Sequence, residues 1–300
     1  MADEIEFVPI EGLTPCWHQV GGHMTKDQAP ESYVDAEGRF YKPYPQDAKA
    51  LRELVFYRAV YETPAPGAPR LHAAYPAPED STEPHPVREP VASDVEGIRL
   101  YLPGFYGTRL FEGVKLIAME DLCKKYKKPC VMDCKMGFTT VYPWASEKYR
   151  TRNGQKDGET TGGSVGFRVS GLQVYRPGED AASKSDRQWG KTLSKDTIDS
   201  AFELFASGAV PARDLYGHAT KGALPQLRGL LAWFKVQTSF QFFQASVLLV
   251  YDGDAACVED ARVAVHVVDF AYTFQLLEGR DENWIESLES LISILERVAA

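Results

Sequence analysis

No stretch of this chain approaches the roughly 20 consecutive apolar residues that a membrane-spanning helix requires, and its first residues, MADEIEFVPIEG, are acidic where a secretion signal would be basic and then apolar. A soluble intracellular protein is the expectation. Cysteine is scarce: the five residues Cys16, Cys123, Cys130, Cys134 and Cys257 are an odd number without a C-x2-C pair, so neither a disulfide framework nor a thiolate zinc site is indicated. Cys130 and Cys134 stand four apart, but in a run that reads as a strand with no second pair beside it. Positive charge is also in deficit. The 33 Lys and Arg against 42 Asp and Glu leave a net charge of -9, which argues against bulk attraction to nucleic acid or anionic lipid. An anionic substrate must then meet a local basic cluster. The phosphate-loop pattern G-x-x-x-x-G-K-[ST] is missing too, and the pair Gly21-Gly22 is too short to serve alone as a phosphate cradle.

What is present begins with two short strand-like stretches between Trp17 and Lys42, flanking the glycine pair and a turn at Ala36–Gly38. Leu51, Leu54, Val55, Arg58 and Tyr61 recur at helical spacing, which predicts an amphipathic helix over Asp47–Glu62 that carries Glu53. Residues 63–90 contain eight prolines and read as an irregular excursion. IRLYLP (Ile98–Pro103) and GVKLIAME (Gly113–Glu120) read as strands. A hinge follows at Met119, and the KKYKK run at Lys124–Lys128 reads as a solvated helix end. Beyond it the expectation is a strand at Cys130–Lys135, a basic excursion at Lys148–Asp157, and a strand over Ser164–Tyr175. Then come a helix from Leu224 to about Gln244, a strand pair in SVLLVYD and RVAVHVVDF, and a closing helix from Asp281. No internal repeat is apparent.

Three strings place polar groups at the ends of apolar strands: PCVMDCKMG, ASVLLVYDG and VVDFAYT. Asp269 is the candidate Mg2+ ligand, because Mg2+ takes one or two carboxylates together with substrate phosphate oxygens and water. Lys135 beside it would stabilise charge developing on a transferred phosphoryl group. On the residues alone, Asp269 as a turn cap and Asp133–Lys135 as a surface ion pair remain the alternatives.

The string P-x-x-x-D-x-K-x-G at Pro129, Asp133, Lys135 and Gly137 resembles the signature of the inositol polyphosphate kinases. HQVGGH (18–23), RELVFY (52–57), YLPGFYGT (101–108), MEDL (119–122), GFRVSGLQVY (166–175) and DFA (269–271) extend the resemblance along nearly the whole chain. The resemblance implies an α+β, two-lobed, protein-kinase-like fold. An antiparallel-sheet lobe would occupy residues 1–119 and a larger mixed lobe residues 120–300, with an inositol phosphate-binding segment at 138–165. ATP would lie between the lobes, its adenine against Glu120 and Leu122, its ribose held by Asp133 and its phosphates by Lys42. Glu53 would position Lys42, and Asp269 with Ser246 would border the Mg2+ site. An ordinary exposed Lys42 and helix Glu53 are the other reading.

YPWASEKYRTRNGQKDGETTGGSVGFR resembles the plant-type multikinases in particular, where this segment lines the substrate pocket. Lys148, Arg150, Arg152 and Lys156, with Lys135, Arg168 and Tyr272, would meet substrate phosphates. Only 28 residues separate Gly137 from Gly166, too few for a large helical substrate lobe, which implies an open pocket of broad specificity. Tyr272 stands where the family carries histidine after DFA. Tyrosine stays uncharged near neutral pH, so substrate preference is expected to shift. The activity implied is phosphorylation of inositol tris- and tetrakisphosphates. The alternatives are a hexakisphosphate kinase, or a nuclear scaffold or transcription cofactor with an incidental kinase site. Partners in the nucleus, a location in nucleus and cytoplasm, no nucleic-acid binding and no stable membrane anchoring complete the expectation.

Overall fold

The computed structural model describes residues 5–17, 31–62 and 89–300. The HQVGGH string and nearly all of the proline-rich excursion lie outside the described residues. Six strands form the first sheet: β1 (Val8–Pro9), β2 (Thr14–Pro15), β3 (Tyr33–Val34), β4 (Arg39–Pro43), β5 (Phe105–Phe111) and β6 (Val114–Glu120), in the order β1-β5-β6-β4-β3-β2. Every pairing but β1 with β5 is antiparallel. Alternation decides the faces: Tyr41, Leu116 and Ala118 pack outward with Leu13, which leaves Lys42 on the opposite face.

Helix α1 (Ala48–Tyr61) starts where the Asp47 carboxylate accepts from the Ala50 amide (2.8 Å) and presses Leu54, Phe56, Tyr57 and Val60 into the core. Ile98–Pro103, expected as a strand, instead ends helix α2 (Ala92–Arg99) and a turn. The reason is tertiary. Asp94 takes hydrogen bonds from the Thr238 amide (2.9 Å) and the Ser239 hydroxyl (2.6 Å), and Trp233 donates to its carbonyl (3.1 Å), partners that lie some 140 residues away.

The second half holds α3 (Glu147–Gly158), α4 (Thr161–Val165), α5 (Arg187–Gly190), α6 (Ile198–Phe205), α7 (Ala212–Gly217), α8 (Ala223–Val236), α9 (Val258–Ala261) and α10 (Glu282–Ala299). Its main sheet contains β7 (Pro129–Met136), β8 (Phe167–Val174), β9 (Ser183–Ser185), β11 (Ser246–Asp252) and β12 (Ala264–Val268), all antiparallel in the order β12-β11-β7-β8-β9. A ribbon pairs β10 (Phe240–Phe242) with β13 (Thr273–Gln275). The basic stretch expected as an excursion is α3, capped by Ser146, and β8 starts at Phe167 because Thr160 caps a short helix that holds Ser164. Helix α8 stops at Val236 rather than near Gln244. There the Gln237 side-chain oxygen accepts from the amides of Ser239 (3.0 Å) and Phe240 (2.8 Å), turning the aromatic run into β10.

In the main sheet, Cys130, Met132 and Cys134 face the helices together with Val247, Leu249, Val265 and Val267. Asp133, Lys135, Ser246, Leu248, His266 and Val268 therefore share the other face. Between β7 and β8 the register shifts: Asp133 lies opposite Gly171 but Cys134 opposite Val169, so Ser170 is an extra residue. Beyond that bulge Arg168 lies opposite Lys135, on the polar face, while Val169 and Phe167 join the core. The whole is an α+β molecule of two lobes. Among the described residues no helix is long and apolar enough to cross a membrane.

Candidate active site

Lys42 reaches across from β4 to two carboxylates at once. Its Nζ lies 2.9 Å from Glu53 Oε1 on α1 and 2.9 Å from Asp269 Oδ1 just after β12. Glu53 Oε1 also accepts from the Phe270 amide (3.4 Å), and Arg52 Nε donates to the Ala271 carbonyl (2.8 Å), so one turn of α1 grips the whole Asp269–Ala271 string. Phe270 is fully buried and stacks on Phe56 at 4.3 Å. This anchoring holds Asp269 at φ 68, a left-handed conformation that a non-glycine residue adopts at some cost. Burial alone would raise the Asp269 pKa, but the ammonium groups of Lys42 and Lys135 overcome it and hold the carboxyl well below its usual range. The Lys42 ammonium is correspondingly stabilised by both carboxylates against its burial. Asp269 is therefore anionic, with 43% of its side chain still exposed.

On the polar sheet face, Asp133 is pushed up to about 6 by burial, against the attraction of Lys135 and with repulsion from Asp269 adding to the rise. The neighbouring Ser246 hydroxyl lowers it somewhat, and Asp133 Oδ1 and that hydroxyl are both buried without a hydrogen bond of normal geometry among the described residues. Such atoms are costly unless a ligand satisfies them. Lys135 donates to the Gln244 carbonyl at 2.8 Å. Gly137, last residue of the D-x-K-x-G string, has φ 115, and a Cβ there would meet Asn283 Nδ2 and the Thr139 carbonyl, each at 2.8 Å.

The cations expected to meet substrate fall into two groups. Lys148 and Arg152 from α3, with Tyr272, line a cavity of about 210 Å³. Lys156 and Arg168 cluster with Lys135 instead. Arg168 pairs with Asp157 (3.6 Å), whose carboxylate is itself held by the Thr140 amide and hydroxyl (2.6 and 2.9 Å). Partial burial of its ammonium end, with repulsion from Arg168 and Lys135, pulls Lys156 down to about 8. Arg150 is a correction: it donates to the carbonyls of Ala145 and Pro143, holding the loop before α3 rather than facing substrate.

Four residues of the cavity wall escape sequence reasoning: Lys49, Arg52, Ser146 and Tyr149. The Arg52 guanidinium lies 5.4 Å and the Lys49 ammonium 5.8 Å from the Tyr272 ring centroid, so Tyr272 forms an aromatic platform for both. Tyr272 in turn stacks on Tyr142 at 5.7 Å. At the hinge, the Glu120 amide donates to Gly104 O and the Asp121 amide to Gly38 O (2.8 and 2.9 Å); neither bond uses the Glu120 carbonyl or the Leu122 amide.

Among the described residues no group of three or more His, Cys, Asp and Glu side chains is arranged to hold a metal by itself. One anionic carboxylate, Asp269, beside the buried Ser246 hydroxyl fits Mg2+, an ion that takes one or two carboxylates and keeps water and phosphate oxygens among its other ligands.

The chain matches the family model described as inositol polyphosphate kinase over residues 116–296. It is 33% identical over 301 residues to the inositol polyphosphate multikinase alpha of Arabidopsis thaliana, covering 94% of each chain. A solved inositol phosphate multikinase structure superposes with a TM-score of 0.60 at 34% identity, over 68% of this chain and 92% of that one. A second, from S. cerevisiae in complex with ADP and Mn2+, superposes at 0.55 and 22% identity, over 67% and 89%.

Proposed function

Because this chain belongs to the inositol polyphosphate kinase family, we propose that it is a multikinase, which uses Mg2+ and ATP to phosphorylate hydroxyls of inositol tris- and tetrakisphosphates. The observation that carries this reading is the juxtaposition of the Lys42–Glu53–Asp269 ion-pair triad with a cavity walled by Lys49, Arg52, Lys148 and Arg152. In this reading the lobes divide at 119/120, with the ATP adenine against the Glu120 carbonyl and Leu122 amide. Asp133 Oδ1 accepts from a ribose hydroxyl, which supplies its missing partner.

Lys42 holds nucleotide phosphate, positioned by buried Glu53. Asp269 and Ser246 are the residues that hold Mg2+, which when bound neutralises charge on the nucleotide phosphates. Lys135 lies where charge grows between donor and acceptor oxygens, and Lys148, Arg152, Lys156, Arg168 and Tyr272 orient the inositol phosphate. Catalysis on this account is position and electrostatics. Asp269→Asn is expected to cut kcat by roughly 100-fold or more with ATP affinity largely kept, whereas Lys148→Ala and Arg152→Ala chiefly raise KM for the inositol phosphate. Near wild-type turnover in Asp269→Asn would remove the metal assignment.

Incubation with Mg-ATP and either inositol 1,4,5-trisphosphate or inositol hexakisphosphate, with anion-exchange separation of products, tests the substrate class. Conversion of the trisphosphate through tetrakis- to pentakisphosphate supports the multikinase. Consumption of the hexakisphosphate alone would transfer the chain to the pyrophosphate-forming branch, and inertness toward both would favour a scaffold. Nuclear partners and a location in nucleus and cytoplasm belong to the same proposal, and imaging of a tagged chain tests the location.

A further inference from the structure

The KKYKK run takes no part in the cleft, and the structure divides it. Lys127 and Lys128 approach Asp254 (3.8 and 3.9 Å), Lys128 also approaches Asp180 (3.4 Å), and both backbone amides donate to the buried Asp252 carboxylate (2.9 and 3.1 Å). Lys125 instead lines a separate cavity of about 360 Å³, with Lys221 from the turn before α8 and Arg262 from the turn between α9 and β12. This cavity shares no residue with the one between α1 and α3.

Its charges are poorly compensated. The Lys125 Nζ and the Arg262 Cζ lie 5.3 and 5.5 Å from the centroid of the same Tyr126 ring, so two like charges are held against one side chain. Arg262 Nη2 comes within 3.5 Å of Asp252, but that carboxylate already serves the amides of Lys127, Lys128 and Asp254. Neither Lys125 nor Lys221 has a carboxylate partner among the described residues. The wall's own carboxylate, Glu259, faces His218 Nε2 at 3.8 Å. In a chain of net charge -9, three cations from three separate segments converging on one volume ask for an anion.

We infer that this cavity is a second anion site, which takes a small molecule bearing two or more phosphate groups. A compact volume with cations on several walls fits a compact polyanion; an extended acidic peptide would need a groove. Arg262 offers a planar fork for phosphate oxygens, and the two lysines offer point charges. The inference goes beyond the kinase reading and does not depend on it.

The test is calorimetric titration of the full chain with inositol hexakisphosphate, without nucleotide. The expected wild-type isotherm has two sites. Lys125→Glu with Lys221→Glu weakens one of them by about tenfold or more, a loss of about 1.4 kcal/mol, and leaves trisphosphate turnover unchanged. Lys148→Ala with Arg152→Ala weakens the other. Because Lys125 and Lys221 are exposed, the charge reversals leave the fold intact, and the pair Lys125→Gln with Lys221→Gln gives an intermediate loss. An isotherm that neither double variant at 125 and 221 alters overturns the inference, however many sites the wild type shows. So does a hexaglutamate peptide that binds at these residues where the hexakisphosphate does not.

Discussion

A single proton on Lys156 changes the charge of the cluster it forms with Lys135 and Arg168. Its ammonium is pulled down to about 8, so it is charged below that pH and neutral above it. On the proposed reading, kcat/KM for the trisphosphate should fall as pH rises from about 7 to about 9, and Lys156→Arg, which stays charged, should flatten that fall. Identical pH profiles for the two proteins would show that Lys156 does not meet substrate. Asp133, Lys135 and Asp269 were legible as candidates in the sequence because each is a charged residue set among apolar neighbours in a specific string. Lys49 and Arg52 were not. On α1 they look like ordinary helix cations, and only the Tyr272 ring, more than 200 positions away, gives them a place in the wall.

Elements whose stabilising contacts are local were readable. Asp47 before α1 and Asp281 before α10 cap their helices within three residues, and the apolar spacing that follows each cap fixes the buried face. Helix α2 was misread because its determinants are remote. Asp94 is the pin, joining α2 to the segment after α8 by two hydrogen bonds and to Trp233 of α8 itself by a third. Asp94→Ala leaves the Thr238 amide and Ser239 hydroxyl without their partner and should cost about 2–3 kcal/mol of stability, read from urea unfolding midpoints. Asp94→Asn, which can still accept, should cost less. An Asp94→Ala protein with unchanged midpoint would show that the pin is dispensable. The phase of β8 is a similar case: its core residues Phe167, Val169, Leu172 and Val174 run at spacings of two, three and two. That middle gap is the bulge, and it was present in the sequence, where the run read only as one strand over Ser164–Tyr175.

At the scale of the whole molecule, the main core runs through both lobes, and only the small cluster of Leu13, Tyr41, Leu116 and Ala118 is confined to the first sheet. Leu54, Phe56 and Val60 of α1 and Val95 and Ile98 of α2 belong to one continuous cluster with Phe234, Phe242, Leu288 and Leu295. The chain should therefore unfold in one calorimetric transition, with van't Hoff and calorimetric enthalpies in agreement. Two resolved peaks would mean that the lobes melt independently. The family resemblance implied two lobes, but nothing in the sequence showed that α1 and α2 plug into the second. Ser170 carries a different lesson. It places Arg168 beside Lys135 through its presence as a residue, not through its hydroxyl. The chemistry of this polar sheet face is thus written partly in chain length. A substitution at Ser170 leaves the frame of β8 intact, whereas losing one residue there would turn the arginine toward the core and an aliphatic side chain toward the polar face that carries Lys135, so insertions and deletions in this strand should be purged far more strictly than point changes.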